Sequence, residues 1–557
     1  MRHSAAGSRL CQILIFLVFV EIGLVLLFQP FFDRELLLPD AVIVLGALAT
    51  VLALLWILRR FRRAAAGDPG NPVLSEEASA QEKGCGLDGS VLHEKDSEKE
   101  KIAAGRENRA LLMASLVLLA AEMFISYNIA FSTGWDPQSV WYGAWFSAIG
   151  DDAVIQSMSE YFSIYPNNLF LCFIYYLILK LDVLLGTPVS NASLLLLVFQ
   201  DVLLAAAGAL TYKCARRFLG VRGSWCVWGL YVLLAGLSPW IAVAYSDGTG
   251  LIFPVLLLWL YLLAKEETDG KKRIIYIFLI GFACYLGFKI KPTAAIVLIA
   301  MVMIEAIRIL KRICGKDDRK KLLQRTAAAA VSLLLGLSLS AACVNVCLDS
   351  MSFDIDEKQE LGITHFLMIG VNIDSNGGFS QSDLDFSSGI ATKAERASEN
   401  LRVWNERLQD LGIDGTMELL ARKIARTYGS GLFGWGGIIS ETYEDRGGLC
   451  SLLRAWYYDT DTVLYPWHAL LSQWLWYTVL AALPFIIMKR QLSDREQVLC
   501  LTLLGLFLYN LIFEAGSRYL FVYVPFYCIL AALAIKNAAY GKRGDGHVRA
   551  AKRADTI

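Results

Sequence analysis

The stretch FSTGWDPQSVWYGAW, residues 131–145, places an acidic side chain directly after a long apolar run. Asp136 precedes a proline and a set of aromatic residues at helical spacing. A carboxylate held at a membrane surface can take a proton from a substrate, as a general base does. The Asp-Pro pair also favours a helix start, with Asp136 as the N-cap and Pro137 at the first helical position. An amphipathic helix lying in the membrane interface would follow, and the two roles are compatible.

Two further acids, Asp151 and Asp152, follow in the same polar stretch. Adjacent carboxylates can bind a metal ion or supply a different base, although paired acids at an exposed helix start are usually solvated caps. His365 is isolated in the sequence and is expected to be structural or to contact an acceptor, because zinc sites need several such ligands. No cofactor is predicted with certainty, and a divalent metal is left open.

The segment YFSIYPNN, residues 161–168, carries hydrogen-bonding groups at the start of the next apolar run. Tyr161, Tyr165 and Asn168 suit a sugar, which offers hydroxyl groups and an apolar ring face. The alternative is an aromatic belt at the membrane interface followed by a turn at Pro166.

Charged residues also occur at three breaks between later apolar runs. Asp247 lies in AYSDGTG, Lys289 and Lys291 lie in GFKIKPTAAI, and Glu514 and Arg518 lie in FEAGSRY. Cations on an outer face oppose the positive-inside tendency and suit an anionic phosphate. An exposed acid and a weak i,i+4 Glu514–Arg518 surface pair are the simpler alternatives. Together these groups would provide a base, cations for a phosphate and polar groups for a sugar.

The elements that must position these residues are membrane-spanning helices. The chain of 557 residues is 56% hydrophobic with a mean hydropathy of +0.48, which excludes an ordinary soluble protein. Its apolar blocks predict an all-α polytopic membrane protein with about 12–13 transmembrane helices and a small extracytoplasmic α or α+β subdomain. The predicted spans are 10–29, 38–58, 110–130, 166–184, 192–213, 224–242, 248–264, 273–289, 292–310, 325–348, 465–488, 496–513 and 519–536.

Basic clusters orient these spans. RRFRR at 59–63 and the clusters near 213–222, 265–273, 311–321 and 489–490 are expected in the cytoplasm. An odd number of crossings would put the basic tail outside, so one segment between 166 and 310 is expected not to cross. We predict that this segment is 166–184, lying along the membrane surface or re-entering it.

The predicted organisation has six parts. They are an N-terminal transmembrane hairpin at 1–63 with a retained first span, a disordered cytoplasmic linker at 64–109, a transmembrane core at 110–348 with its first outer loop at 131–165, an extracytoplasmic subdomain at 349–464, C-terminal transmembrane helices at 465–537 and a basic cytoplasmic tail at 538–557. The subdomain is expected to hold two helices, at 391–412 and 415–431, each ending near a glycine.

This combination resembles the polytopic glycosyltransferases of the C-type fold. The first outer loop with its early Asp, the YPNN motif, the later KP break and the late E…RY turn carry the resemblance, which covers residues 110–537. The most similar subgroup is that of bacterial protein O-mannosyltransferases and lipid A aminoarabinose transferases, glycosyltransferase family 39. The stretch THFLMIGVN…GGFS, residues 364–380, is similar to the Gram-positive branch.

The resemblance implies a multi-pass protein of the bacterial plasma membrane with an extracytoplasmic active site. It implies transfer of a sugar from a polyprenyl-phosphate carrier to a glycan, lipid or protein of the cell envelope, with no nucleic acid involved. Asp136 would be the general base, with Asp151 or Asp152 as alternatives, and Lys291 and Arg518 would bind the donor phosphate. The groups assigned to sugar or acceptor binding are Tyr161, Tyr165, Asn168, Asp247 and Glu514. A lipid-linked glycan flippase or transporter and a non-catalytic envelope assembly protein are the alternative functions.

Overall fold

The computed structural model describes residues 2–28, 37–67, 89–186, 192–314, 318–435, 439–442 and 445–540. Within these ranges the chain is almost entirely helical. The helices of the first half are α1 (Arg2–Phe28), α2 (Asp40–Gly67), α3 (Gly89–Ile129), α4 (Trp135–Ile149), α5 (Asp152–Ile164), α6 (Leu169–Leu185), α7 (Ala192–Arg216), α8 (Val221–Tyr231), α9 (Ser246–Gly250), α10 (Ile252–Glu266) and α11 (Gly270–Ile290). Those of the second half are α12 (Ala295–Ile313), α13 (Arg319–Asp349), α14 (Gly362–Gly370), α15 (Gln381–Ser388), α16 (Lys393–Tyr428), α17 (Leu449–Tyr457), α18 (Leu464–Ala482), α19 (Asp494–Ile512), α20 (Arg518–Phe521) and α21 (Val524–Tyr540).

Eleven helical segments in the described ranges are long and apolar enough to cross a membrane, and α21 is a shorter apolar helix. The prediction of an all-α polytopic membrane protein is therefore confirmed. The described strands form one short antiparallel pair, β1 (Phe131–Thr133) with β2 (Ile439–Thr442). This pair ties the chain just before Asp136 to the long segment between α13 and α18.

The predicted span 224–242 is interrupted. After α8 the chain forms a π-helical turn at Val232–Gly236 and a 3₁₀ turn at Pro239–Ala242. Pro239 removes a backbone donor, and Gly236 packs closely on Leu118 and Glu122 of α3, so a regular helix does not continue here.

Part of the predicted disordered linker, residues 64–109, is helical in the structure. Residues 89–109 are helical and continue into the span of α3, which contradicts disorder for that portion. Its Glu, Lys, Ala and Arg residues favour a helix, and extending an existing helix avoids a new nucleation step. Residues 68–88 lie outside the described ranges.

One end of the bundle collects the basic clusters. Contacts there join Arg216 to Glu107 at 2.8 Å, Arg217 and Arg495 to Glu266, Arg59 to the Ala538 carbonyl and Lys536 to the Phe218 carbonyl. The clusters near 59–63, 213–222 and 265–273 thus lie at the same end, as the positive-inside tendency requires of a common cytoplasmic face.

Helix α6 follows the turn at Pro166–Asn168, near the opposite end of the bundle. It packs along α4, where Cys172 and Phe162 leave no room for a Cβ on Gly143. Its successor α7 starts beside the end of α3, because Ser126 contacts Asp201 at 2.7 Å. The length and composition of α6 would allow a crossing, so the surface position of 166–184 stays a prediction.

The long segment between α13 and α18 contains α14 to α17. Helix α16 is bent at Gly412, where φ is 59° and ψ is −161°. Only glycine adopts that conformation readily, so the two predicted helices meet there. The second of them ends at Gly429, which confirms the predicted glycine stop.

Two glycines fix the crossing of α11 and α13. A Cβ on Gly336 would lie 2.1 Å from the Phe278 carbonyl oxygen, and one on Gly281 would lie 2.3 Å from that of Leu333. Small residues allow such close backbone approach in membranes. We expect Gly336→Ala to force these helices apart and to lower the free energy of unfolding by about 1–3 kcal/mol.

Thermal unfolding of the purified protein in detergent would measure this loss. Gly229→Ala is the matched control, because a Cβ there meets nothing within 4 Å. Equal melting temperatures for the two variants would contradict the close crossing.

Candidate functional site

Asp136 lies inside the first turn of α4 and does not cap it. The helix starts one residue earlier, with Gly134 as the N-cap and no side-chain cap. The carboxylate instead accepts hydrogen bonds from the hydroxyl groups of Tyr161 (2.7 Å) and Tyr245 (3.1 Å). The prediction of an N-cap is therefore wrong, because the β1–β2 pair and an unusual backbone at Trp135 (φ 50°) turn the chain so that Asp136 faces these donors.

Asn168 completes a polar network around this carboxylate. Its Nδ2 donates to the Tyr161 hydroxyl at 2.7 Å, and its Oδ1 lies 3.3 Å from the Tyr245 hydroxyl. Burial, together with the nearby Asp136 charge, raises the pKa of Tyr161, so its phenol stays neutral and remains a donor. The Tyr165 ring packs at 5.3 Å against that of Tyr161. The predicted sugar-facing residues Tyr161, Tyr165 and Asn168 thus gather around Asp136 from α5 and from the turn before α6. Tyr245, which the sequence analysis did not single out, joins them from the segment before α9.

Lys291 and Asp247 form a buried ion pair beside this network. Their Nζ and Oδ1 atoms are 2.5 Å apart, Asp247 is fully buried and Lys291 is 5% exposed. The Lys291 ammonium also lies 4.9 Å from the centre of the Tyr519 ring. Because Asp247 already neutralises it, Lys291 offers less free positive charge than the sequence suggested. The second oxygen of Asp247 has no hydrogen-bond partner among the described residues.

Arg518 is held by aromatic rings. Its guanidinium carbon lies 4.9 Å from the Trp135 ring centre, 5.4 Å from that of Tyr519 and 6.0 Å from that of Tyr245. One terminal nitrogen, Nη1, is buried and has no hydrogen-bond partner in the described part of the chain. Ring faces bind a guanidinium without using its N–H groups, which leaves this donor available to an anion.

Glu514 does not pair with Arg518 as an i,i+4 helical neighbour. Helix α19 ends at Ile512 and α20 begins at Arg518, so the residues between them are not helical. No ion pair joins the two side chains within the described ranges. Glu514 is half-buried on the turn that carries Arg518.

Lys423, which the sequence did not single out, supports this turn. Its buried Nζ donates to the carbonyl oxygens of Gly370 (2.6 Å) and Phe513 (2.7 Å). Burial lowers its pKa to about 7, against the opposing effect of the nearby Glu514. The backbone N–H of Ala515 donates to the Gly377 carbonyl at 2.7 Å, so the stretch 364–380 also supports this turn. The sequence signal that could have identified Lys423 is its position on the apolar side of α16.

Asp151 and Asp152 lie away from this cluster. Asp151 caps α5, with its carboxylate accepting from the Val154 N–H at 3.3 Å. Asp136 and Asp151 are at opposite ends of α4, which spans about 22 Å at 1.5 Å per residue. No group of three or more potential metal ligands occurs within the described residues.

His365 has a structural environment. It is buried on α14 with Nδ1 2.7 Å from the Ser387 hydroxyl, and desolvation lowers its pKa to about 4. The neutral ring therefore joins α14 to α15.

Comparisons with known proteins place the chain in a family. The model of a family described as conserved hypothetical integral membrane protein matches residues 96–539, and the chain belongs to this family. A comparison with curated proteins gives no match. Among solved structures, the archaeal oligosaccharyltransferase AglB from Archaeoglobus fulgidus, in complex with an inhibitory peptide and a dolichol-phosphate, is similar at 14% identity and a TM-score of 0.38. That match covers 78% of this chain and 53% of AglB, so the chain spans about half the length of that protein.

Proposed function

We propose that this protein is a membrane glycosyltransferase that moves a sugar from a polyprenyl-phosphate carrier to an acceptor of the cell envelope, on the extracytoplasmic face. The observation that carries the proposal is the convergence of Asp136 and Arg518. Tyr245 and Trp135 contact both the carboxylate network and the guanidinium. A base and an anion-binding donor so placed suit a reaction in which a proton is removed and a phosphate departs.

The reaction follows from these roles. Asp136 accepts the proton of an acceptor hydroxyl while that oxygen bonds to the anomeric carbon of the sugar. The bond between that carbon and the phosphate oxygen breaks, and the electron pair leaves with the polyprenyl phosphate. Arg518 donates to the departing phosphate, and the Asp247–Lys291 pair adds dipolar stabilisation at the same edge. Tyr161, Asn168 and Tyr245 hold the carboxylate in place.

The proposal is tested with the purified full-length protein in lipid vesicles. Polyprenyl-phosphate sugars with a labelled sugar are added together with envelope glycan, lipid or protein acceptors. We expect labelled sugar on the acceptor and a matching amount of free polyprenyl phosphate. Movement of an intact donor between leaflets, with no cleavage of the sugar–phosphate bond, would instead establish a flippase. Neither cleavage nor movement with any donor would favour an assembly protein.

A further inference from the structure

Two acids that the proposed site does not use lie inside the membrane-spanning region. Glu122 belongs to α3 and Asp201 to the neighbouring α7, and both are fully buried. Ionisable residues at this depth are costly and usually functional. Their surroundings indicate which form of each acid the fold holds.

The hydroxyl group of Ser126 lies between the Glu122 backbone and the Asp201 carboxyl group. Its Oγ lies 2.5 Å from the Glu122 backbone carbonyl oxygen and 2.7 Å from Asp201 Oδ2. Ser126 has a single hydroxyl hydrogen, and a carbonyl oxygen can only accept. One hydrogen cannot serve both contacts. If the serine donates to the Glu122 carbonyl, which is the shorter contact, the hydrogen of the second contact belongs to Asp201. In that arrangement Asp201 is a neutral carboxylic acid that donates to Ser126.

Glu122 has no donor to stabilise a negative charge. Neither of its carboxyl oxygens has a hydrogen-bond partner among the described residues, and Oε1 lies 3.3 Å from the position a Cβ on Gly236 would take. Asp201 is close enough to repel it when both are ionised. Among the described residues Tyr231 also faces it, and its hydroxyl donates to the Leu204 carbonyl at 2.7 Å. A buried carboxylate without a donor or a cation is strongly disfavoured, which leaves the neutral acid.

We infer that Glu122, Ser126 and Asp201 form an intramembrane proton-binding site between α3 and α7, in which each acid holds one proton. The ligand is the proton itself, and hydroxide at alkaline pH removes it as water. Loss of either proton would leave an unpaired charge and force the two helices apart. This inference does not depend on glycosyl transfer.

The site has a direct connection to the candidate functional site. Gln200, next to Asp201, accepts from the Tyr245 backbone N–H at 3.3 Å and donates to the Trp240 carbonyl at 3.2 Å. Separation of α3 and α7 would therefore displace the tyrosine that donates to Asp136.

Infrared spectroscopy of the full-length protein in lipid nanodiscs tests the inference. We expect carboxylic-acid C=O absorption at neutral pH that disappears on alkaline titration, with one component lost in Glu122→Gln and another in Asp201→Asn. Both amides mimic the neutral acid, and the amide nitrogen introduced by Asp201→Asn can still donate to Ser126. Glu305→Gln is the control, because Glu305 pairs with Lys265 and should contribute no such component. Separate isotope labelling of aspartate and glutamate in the unsubstituted protein gives the same assignment if a variant fails to fold.

A second measurement follows the fold. The melting temperature of the unsubstituted protein should fall between neutral and alkaline pH, and that fall should be reduced in the Glu122→Gln/Asp201→Asn double variant. Absence of both acid components at neutral pH would overturn the inference. A carboxylate signal that shifts with added sodium or calcium would also overturn it, because it would show a cation site in place of a proton site.

Discussion

Asp136→Asn is expected to reduce the rate of sugar transfer by about 10²–10⁴-fold, because the amide cannot accept the proton of the acceptor. The amide oxygen can still accept from Tyr161 (2.7 Å in the unsubstituted protein) or from Tyr245. The free energy of unfolding should therefore change by no more than about 1 kcal/mol. The measurement is kcat with a saturating polyprenyl-phosphate sugar, alongside the melting temperature of the same preparation.

Asp151→Asn is the matched control for this substitution. Asp151 is an acid at the other end of the same helix, where its carboxylate only caps α5. This substitution should leave kcat within about twofold of the value for the unsubstituted protein, since asparagine caps a helix nearly as well as aspartate. Full activity in Asp136→Asn, or an equal loss in both variants, would remove Asp136 from the role of base.

Arg518→Lys should be almost as damaging as removal of the base, although it keeps the charge. Lysine lacks the planar group that fits against the ring of Trp135, at 4.9 Å, and lacks the fork of donors that suits a phosphate. We expect kcat to fall by about 10²-fold and inhibition by free polyprenyl phosphate to weaken by about tenfold. Initial rates at varied donor and product concentrations give both quantities.

Arg402→Lys controls for a general loss of arginine. Arg402 lies on the surface of α16, where it pairs with Glu399 and Glu406 and touches no residue of the candidate site. Its kinetic constants should be unchanged. Unchanged product inhibition in Arg518→Lys would show that the phosphate binds elsewhere.

The sequence predicted the fold well because its signals are local. Runs of about 20 apolar residues require helices in a bilayer. Gly412 interrupts the helical conformation of α16, and Gly429 ends that helix. The interrupted segment 221–242 was missed because its break depends on tertiary packing. Gly236 meets Leu118 and Glu122 of α3, and no pattern within the segment itself reports that contact.

The sequence indicated which charged residues belong to the candidate site, but it did not indicate which residues they contact. Orientation placed Asp136, Lys291 and Arg518 on one face, and the structure brings them together through aromatic residues. The pairing of Lys291 with Asp247 and the stacking of Arg518 on Trp135 join residues far apart in sequence, so spacing could not show them. The predicted cap at Asp136 failed for a similar reason, since its donors Tyr161 and Tyr245 come from other segments of the chain.

The backbone at Trp135 sets the stability of the fold against the contacts of the candidate site. A bulky residue at φ 50° is strained by about 1–3 kcal/mol, and a glycine there would relieve that strain. Glycine would also remove the ring that lies between Arg518 and Tyr245. The position is therefore one where a more stable chain would be a less capable one, and selection for heat resistance alone would be expected to change this residue early.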